Sequence, residues 1–257
     1  MNSAIEYPEG WPVGFTLIHR ETVGSTNDDA SQLAVGGADD GTVVWADAQT
    51  KGRGRRGRTW VSPKGNLYYS IVLRPDKTPS EAAQLSLVAA ISMGDALRAL
   101  LPEKCAVRHK WPNDILVDGA KIAGILLESA GGGRDQPVDW LVLGCGVNIV
   151  SNPKDTLYPA THLHAFNESV ATIEVLTAFV QRLSHWRDEW VENGVEPIRK
   201  AWLERVMGLG EAITVRTATA QTTGRFVDLD SDGALILEAP GGAISRITAG
   251  DVFFEGS

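Results

Sequence analysis

A chain of 257 residues, 43% hydrophobic and 22% charged, can bury the core of one large domain or of a domain with a small appendage. Its formal net charge of −8 argues against a surface built broadly for nucleic acid, whose footprint is a basic face. No apolar run approaches the ~18 residues of a membrane-spanning helix, and two distant cysteines, Cys105 and Cys145, form neither a disulfide framework nor a metal-ligand spacing.

The N-terminal stretch MNSAIEYPEGWPVG has no cationic start and no apolar segment, so it does not read as a signal peptide. A reducing, cytoplasmic setting with no membrane partner is the expectation. Ser25 or Thr26 can cap a helix running through Gln32 and Leu33. Thr42 to Ala46 is a short β-branched and aromatic run, which predicts a strand. It leads into the most informative segment of the chain, Lys51-Gly52-Arg53-Gly54-Arg55-Arg56-Gly57-Arg58.

Five of those eight residues are cationic, in a protein that is acidic overall. The three glycines let backbone N–H groups turn toward a ligand, and the arginines add planar, permanently charged donors. Three readings stand open on the loop alone: a phosphate or adenylate clamp, a nucleic-acid patch, or a solvated basic loop.

Asn66 to Leu73 predicts a strand leaving the loop, and Thr78-Pro79-Ser80-Glu81 predicts a capped helix start. That helix carries Leu85, Val88, Ile91, Leu97 and Leu101 as a core-facing stripe. Val107 to Trp111 and Ile115 to Val117 predict short strands broken at Pro112-Asn113-Asp114, and the Asp118-Gly119 turn starts a hairpin through Leu127. Val138 to Val150 predicts a buried strand, in which Cys145 reads as a small filler. His162 and His164 lack any HExxH pattern and read as loop residues.

The spacing of Leu176, Phe179, Val180, Leu183, Trp186 and Trp190 predicts a long amphipathic helix, and a second follows from about Val195 to Val206. Met207-Gly208-Leu209-Gly210 marks a domain boundary. Beyond it, strands over 213–216, 224–229, 234–237 and 243–247, with turns at Asp232-Gly233 and Gly241-Gly242, predict a small β-barrel. Such a barrel is too small to be stable without docking.

Four segments, taken together and in order, resemble the catalytic domain of biotin protein ligases: Gly24-Ser25-Thr26-Asn27, Gln49 with GRGRRGRTW, Lys110-Trp111-Pro112-Asn113-Asp114, and Lys121-Ile122-Ala123-Gly124-Ile125-Leu126. GCGVN over 144–148 is similar to a fifth element, and the resemblance covers about residue 18 to the end. It implies an α+β fold: a mixed central sheet packed with helices, of the class II synthetase-like biotin and lipoate ligase type, over 1–207. A C-terminal SH3-like β-barrel over 208–257 completes it.

The implied activity has two steps. Biotin's carboxylate attacks the α-phosphate of ATP, and the resulting biotinyl-5′-adenylate is passed to a lysine of a biotin carboxyl carrier domain of an acyl-CoA carboxylase. By resemblance Lys121 and Arg55 are catalytic. Ser25, Thr26, Asn27, Gln49, Gly52, Arg53, Arg55, Lys121, Gly124 and Gly146 would bind biotin. Arg53, Arg55, Arg56, Arg58, Trp60, Lys121 and Asn148 would bind ATP or the adenylate, with Trp60 stacking on adenine.

Asn113 and Asp114 would orient the site or a metal, or simply make the turn. No side-chain cluster points to a resident metal, so Mg²⁺ is expected to arrive with ATP. Only 24 residues precede Ser25, too few for the DNA-binding domain that some of these ligases carry, so a ligase without nucleic-acid binding is expected. The competing readings are a lipoate-type acyl ligase and, in a different class, a nucleic-acid-binding module using residues 51–58.

Overall fold

The computed structural model describes residues 7–254 apart from 155, 157 and 218, so the first six residues of the N-terminal stretch lie outside the described residues. A central sheet is built from β1 (Thr16–Val23), β2 (Thr42–Gln49), β3 (Leu67–Leu73), β4 (Val107–Lys110), β5 (Asp114–Val117), β6 (Ala120–Gly133) and β7 (Gln136–Val147). The strands lie in the order β1-β2-β3-β7-β6-β5-β4. β1 and β2 pair in parallel, because helix α1 (Thr26–Val35) carries the chain back between them. The remaining pairs are antiparallel, which makes the sheet mixed.

The sheet's two faces carry different chemistry, and strand alternation produces the difference. On β3 and β7, Tyr69, Ile71, Leu73, Leu141, Leu143, Cys145 and Val147 join the main core. That core is covered by α3 (Leu85–Leu100), α4 (Thr172–Asn193) and α5 (Val195–Leu203). Val72 and Val142 point the other way, packing with Ala30 and Ala34 of α1. Further along this second face the residues become small or polar: Ser70 on β3, Gly144 and Gly146 on β7, Gly124 on β6. The absence of bulk there opens a cavity.

The helix expected to start at Thr78 begins with the predicted capping box, Thr78 Oγ1 accepting from the Glu81 N–H and Glu81 Oε2 from the Thr78 N–H. It is two helices, α2 (Pro79–Ala83) and α3. Backbone bonds on both sides of Gln84 run i to i+3, from Gln84 to Glu81 and from Leu87 to Gln84. The Gln84 side chain is held across the fold, donating to the Ser231 carbonyl at 2.9 Å and accepting from Trp190 Nε1 at 2.8 Å. Those anchors set the tighter turn between the two helices.

Five antiparallel strands follow α5: β8 (Ala212–Arg216), β9 (Gln221–Leu229), β10 (Leu235–Glu238), β11 (Ile244–Ile247) and β12 (Asp251–Phe254), in the order β11-β10-β9-β8-β12. The sequence reading omits β12, a run of four residues. Ile213, Phe226, Leu235 and Val252 share one apolar cluster with Trp202 and Val206, so their core is continuous with that beneath the central sheet. Polar anchors reinforce it: Trp111 Nε1 donates to the Gly233 carbonyl at 3.0 Å, and Arg199 pairs with Asp228 at 2.5 Å.

His109, on β4, sits at this junction with no exposed surface. Its ring lies 5.7 Å from that of Trp202. Burial, and then the charges of Arg205 and Arg98, push its pKa down to about 3. Below pH 6.5 the unfolded chain takes up a proton that the folded chain refuses. This contribution to stability is therefore complete above pH 6.5 and is lost as the pH falls toward 3, costing about 2 kcal/mol by pH 5. The midpoint of thermal unfolding should drop by roughly 4–8 °C more between pH 7 and pH 5 in the unmodified protein than in His109→Leu. Parallel pH slopes in the two proteins would refute this.

Candidate active site

The basic segment folds back on itself as a tight hairpin. Arg53 and Thr59 form a β-bridge, the Gly54 N–H donates to the Arg58 carbonyl at 2.7 Å, and the Trp60 N–H donates to the Gly52 carbonyl at 2.9 Å. Arg56 and Gly57 turn the tip at φ 56° and 71°. A Cβ at Gly52 would lie 2.4 Å from Ser62 Oγ and 2.5 Å from the Trp60 carbonyl oxygen, so only glycine fits beneath the loop.

The four arginines are held unequally. Arg53 pairs with Asp28 at 2.7 Å and with Glu128 at 2.8 Å. Arg58 reaches Asp251 of β12 with Nη1 at 3.0 Å, and Arg56 approaches the same carboxylate at 3.6 Å. Burial raises the Asp251 pKa, but the Arg58 hydrogen bond and the charges of Arg58, Arg56 and Arg55 outweigh it and leave the carboxyl below its usual range. Arg55 alone of the four has no ion-pair or hydrogen-bond partner among the described residues. Burial first, then the charge of Arg56, lowers its pKa. A half-buried, unpaired guanidinium is costly unless an anion arrives to meet it.

At the end of the cavity nearest α1 the wall is made of amides and hydroxyls, while the carboxylates of Asp28 and Glu128 behind it are paired with Arg53. Gln49 Oε1 accepts from the Thr26 N–H at 2.8 Å and from Thr26 Oγ1 at 3.2 Å, while Gln49 Nε2 donates to Ser62 Oγ at 3.0 Å. Ser70 Oγ lies 2.8 Å from Thr26 Oγ1 and 2.6 Å from Asn27 Oδ1. Asn27 Nδ2 donates to Glu128 Oε2 at 2.6 Å. Ser25 stands at the N-cap of α1, yet its side chain makes no capping bond, which corrects the capping expectation. Thr26 is the first helical residue, and its hydroxyl turns to Gln49 instead.

Trp60 closes the middle of the cavity. A Cβ on Gly146 would lie 2.4 Å from Trp60 Nε1, so the indole leaves space only for glycine there, while one on Gly124 would lie 3.2 Å from Trp60 Cζ3, a tight contact to which the ring must give slightly. Lys121 Nζ lies 5.2 Å from the Trp60 ring centroid and 2.6 Å from Asp114 Oδ1. The Pro112-Asn113-Asp114 turn thus does two things: Asn113 Nδ2 binds the Ile125 carbonyl at 2.5 Å, and Asp114 holds the lysine. Asn148, buried at the end of β7, donates to the Thr161 carbonyl at 2.9 Å.

The cavity has a volume of about 340 Å³, and every expected site residue except Gly52 stands on its wall. Gly52 lies beneath the basic loop instead. No group of three or more His, Cys, Asp or Glu side chains suited to a metal occurs among the described residues. Cys145 is turned into the helix-covered core, where burial pushes its thiol up to about 12. His162 and His164 make loop contacts, with Asn152 at 2.7 Å and with the Val170 carbonyl at 2.9 Å.

Comparison with known proteins gives this geometry a family. The profile of the biotin/lipoate A/B protein ligase family matches residues 20–148, and that of the biotin protein ligase C-terminal domain matches residues 208–255. The chain belongs to the biotin/lipoate A/B protein ligase family. A biotin–[acetyl-CoA-carboxylase] ligase of Paracoccus denitrificans is 41% identical over 238 residues, 90% of this chain and 98% of that one. Among solved structures, the biotin protein ligase of Aquifex aeolicus in complex with biotin and ATP superposes with a TM-score of 0.78 at 29% identity, covering 93% and 97% of the two chains. The Leishmania major biotin protein ligase in complex with biotinyl-5-AMP gives 0.65 at 27% identity over 91% and 99%. The mixed sheet with helices and the SH3-like C-terminal domain are those of a biotin protein ligase.

Several residues that line the ligase cavity or hold its lining side chains escape the motifs. Glu128 is the clearest case, and a period-2 count along β6 finds it: Gly124, Leu126 and Glu128 share the cavity face. Asp28, Ser62, Ser70 and Asp251 carry no local signal. Each acts through a partner far away in the chain.

Proposed function

We infer that this protein is an ATP-dependent ligase that activates biotin as biotinyl-5′-AMP and transfers the biotinyl group to a lysine of a biotin carboxyl carrier domain. One observation carries the reading: a lysine–aspartate pair, Lys121 and Asp114, lines one cavity together with uncharged hydrogen-bonding side chains and an arginine loop with one unpaired guanidinium. The urea ring of biotin needs donors and acceptors rather than charge. Ser25, Thr26, Asn27 and Gln49 supply them, Asn27 and Gln49 each keeping one amide N–H beyond the bonds already made. Gly146, Gly124 and Gly144 let Trp60, Lys121 and Asn27 pack close against the sheet beside the bicycle, and Gly52 lets the loop close over Ser62.

In the first step a carboxylate oxygen of biotin forms a bond to the α-phosphorus, and the bond from that phosphorus to the bridging oxygen breaks, releasing pyrophosphate. Lys121 offsets the repulsion between the two anions, and Arg53 and Arg55 flank them. Arg56, Arg58, Trp60 and Asn148 face the adenylate. In the second step the neutral ε-amine of the carrier lysine attacks the acyl carbon, an amide forms, and AMP leaves with the former carboxyl oxygen.

Mg²⁺ would enter bound to ATP, held mainly by phosphate oxygens and water. It would neutralise phosphate charge, with Asp114 and Asp251 the carboxylates at that end. The carrier domain of an acyl-CoA carboxylase is the partner this reading implies. Residues 1–207 would form the catalytic domain and 208–257 the C-terminal one, in a cytoplasmic protein. No helix among the described residues is long and apolar enough to cross a membrane.

The direct test is incubation with ATP, Mg²⁺, biotin and a carrier domain. Biotin-dependent pyrophosphate release and one biotinylated lysine are expected, with both lost on chelation by EDTA. Preferential use of lipoate, or no pyrophosphate release, would overturn the reading.

Retention of the reactive adenylate is a separate property. Charged hydrogen bonds from Arg55 typically contribute ~1.5–3 kcal/mol. Arg55→Gly should therefore raise adenylate release roughly tenfold or more, with labelling of bystander serum albumin as the readout. Albumin labelling at the unmodified level, with adenylate still made, would show that Arg55 does not hold the intermediate.

A further inference from the structure

The cavity wall holds a second lysine besides Lys121. Lys110, the last residue of β4, is 6% exposed. No carboxylate lies within ion-pair distance of its Nζ among the described residues, whereas Lys121 has Asp114 at 2.6 Å. Aromatic faces hold the ammonium instead. Nζ stands 3.5 Å from the ring centroid of Tyr158 and 5.5 Å from that of Phe254. The box continues into the C-terminal sheet, because Tyr158 packs on Phe253 at 5.4 Å and Phe253 lies 4.2 Å from the Arg216 guanidinium. The hydroxyl of Tyr158 is buried without a hydrogen-bond partner among the described residues.

This is an arrangement for receiving an anion. Ring quadrupoles hold a cation in place without neutralising it, so its positive charge stays available in a partly desolvated position. A carboxylate partner would have cancelled that charge, as Asp114 does in part for Lys121. Burial lowers the Lys110 pKa; Asp114 raises it, Lys121 lowers it again, and Asp251 raises it. An arriving phosphate would favour the charged form further.

Position decides which anion. Lys121 is on the side of the Trp60 wall, where the biotin carboxylate and the α-phosphate would meet. Lys110 pairs in register with Asp114, but its Nζ lies against Tyr158 and against Phe254 of β12, the strand whose Asp251 holds Arg56 and Arg58. We propose that Lys110, poised by Tyr158 and Phe254, binds the departing pyrophosphate of ATP; the assignment rests on the adenylation reading above. When the bond between the α-phosphorus and the bridging oxygen breaks, the electron pair leaves on pyrophosphate. A fixed cation there stabilises charge that develops in the transition state. The carrier step involves no pyrophosphate and makes no use of it.

That asymmetry gives the test. Biotin-dependent pyrophosphate release and transfer from synthetic biotinyl-5′-AMP to a carrier domain are measured separately for Lys110→Met, Lys110→Arg and Tyr158→Leu. Lys110→Met keeps the apolar stem between the rings, and circular dichroism with a thermal scan checks the fold. The expected results are a roughly hundredfold fall in pyrophosphate release for Lys110→Met, with a raised KM for ATP, and a transfer rate within twofold of the unmodified protein. Lys110→Arg should recover much of the loss. Tyr158→Leu, on the loop, should raise the KM for ATP while sparing transfer, and it serves as the independent arm if Lys110→Met does not fold. Normal pyrophosphate release by Lys110→Met, or an equal fall in both half-reactions, would overturn the assignment. Absence of biotin-dependent pyrophosphate release from the unmodified protein would instead overturn the adenylation reading beneath it.

Discussion

Lys121→Gln should lose biotin-dependent pyrophosphate release by about a hundred- to a thousandfold while the protein stays folded. The ammonium is 2.6 Å from Asp114 and stands beside the Trp60 ring, in the cavity that the uncharged side chains and the arginine loop also line. Two anions must approach each other there, a carboxylate and a phosphate. Glutamine fills a similar volume and still offers N–H donors, but it brings no charge to offset their repulsion. Loss of one preorganised electrostatic donor at a reacting centre typically costs ~3–4 kcal/mol. Asp114→Asn should cost less, because it frees the lysine without removing it. Pyrophosphate release is the assay, with circular dichroism to confirm the fold. A folded Lys121→Gln protein within tenfold of the unmodified rate would end the assignment of this lysine.

Gly146→Val is expected to raise the KM for biotin by up to about a hundredfold. A single Cβ at that position would lie 2.4 Å from Trp60 Nε1 and 2.5 Å from Cε2, and valine adds two methyl groups. Neither atom is the free end of a flexible chain. The indole is hemmed in by Gly124 and by Lys121, so it must swing into the cavity or β7 must shift. Overpacking of this kind costs ~1–3 kcal/mol, and here the distortion falls on the binding wall itself. Gly146→Ala should show a smaller effect in the same direction. Unchanged biotin binding in Gly146→Val, measured calorimetrically, would mean that β7 at this point does not border the biotin pocket.

Much of the fold was legible in order along the chain because its signals are local. The Thr78–Glu81 capping box, the Asp118-Gly119 turn and the helical spacing from Leu176 to Trp190 each lie within a few turns of backbone. Glycine at 119 has φ 81°, a value its neighbours in the hairpin require and few other residues adopt. The break at Gln84 and the strand β12 were not legible. The first depends on Trp190 and Ser231, distant in sequence, and the second is a four-residue run whose partner is β8.

The same division runs through the site. The sequence by itself determined which chemistry is present: a glycine-spaced arginine loop, a lysine after a tight turn, and small and neutral polar residues for an uncharged ring. Such motifs are contiguous because a loop that wraps a ligand must place neighbouring residues around it. Only the tertiary structure decided which of those charges remain available. Arg53 is tied to Asp28 and Glu128, Arg58 and Arg56 share Asp251, Lys121 is paired with Asp114, and Arg55 and Lys110 keep their charge unpaired. Arg58 and Asp251 are 193 positions apart. Coulomb energy depends on distance in space and on burial, and strand register, which sets both, is a property of the whole sheet.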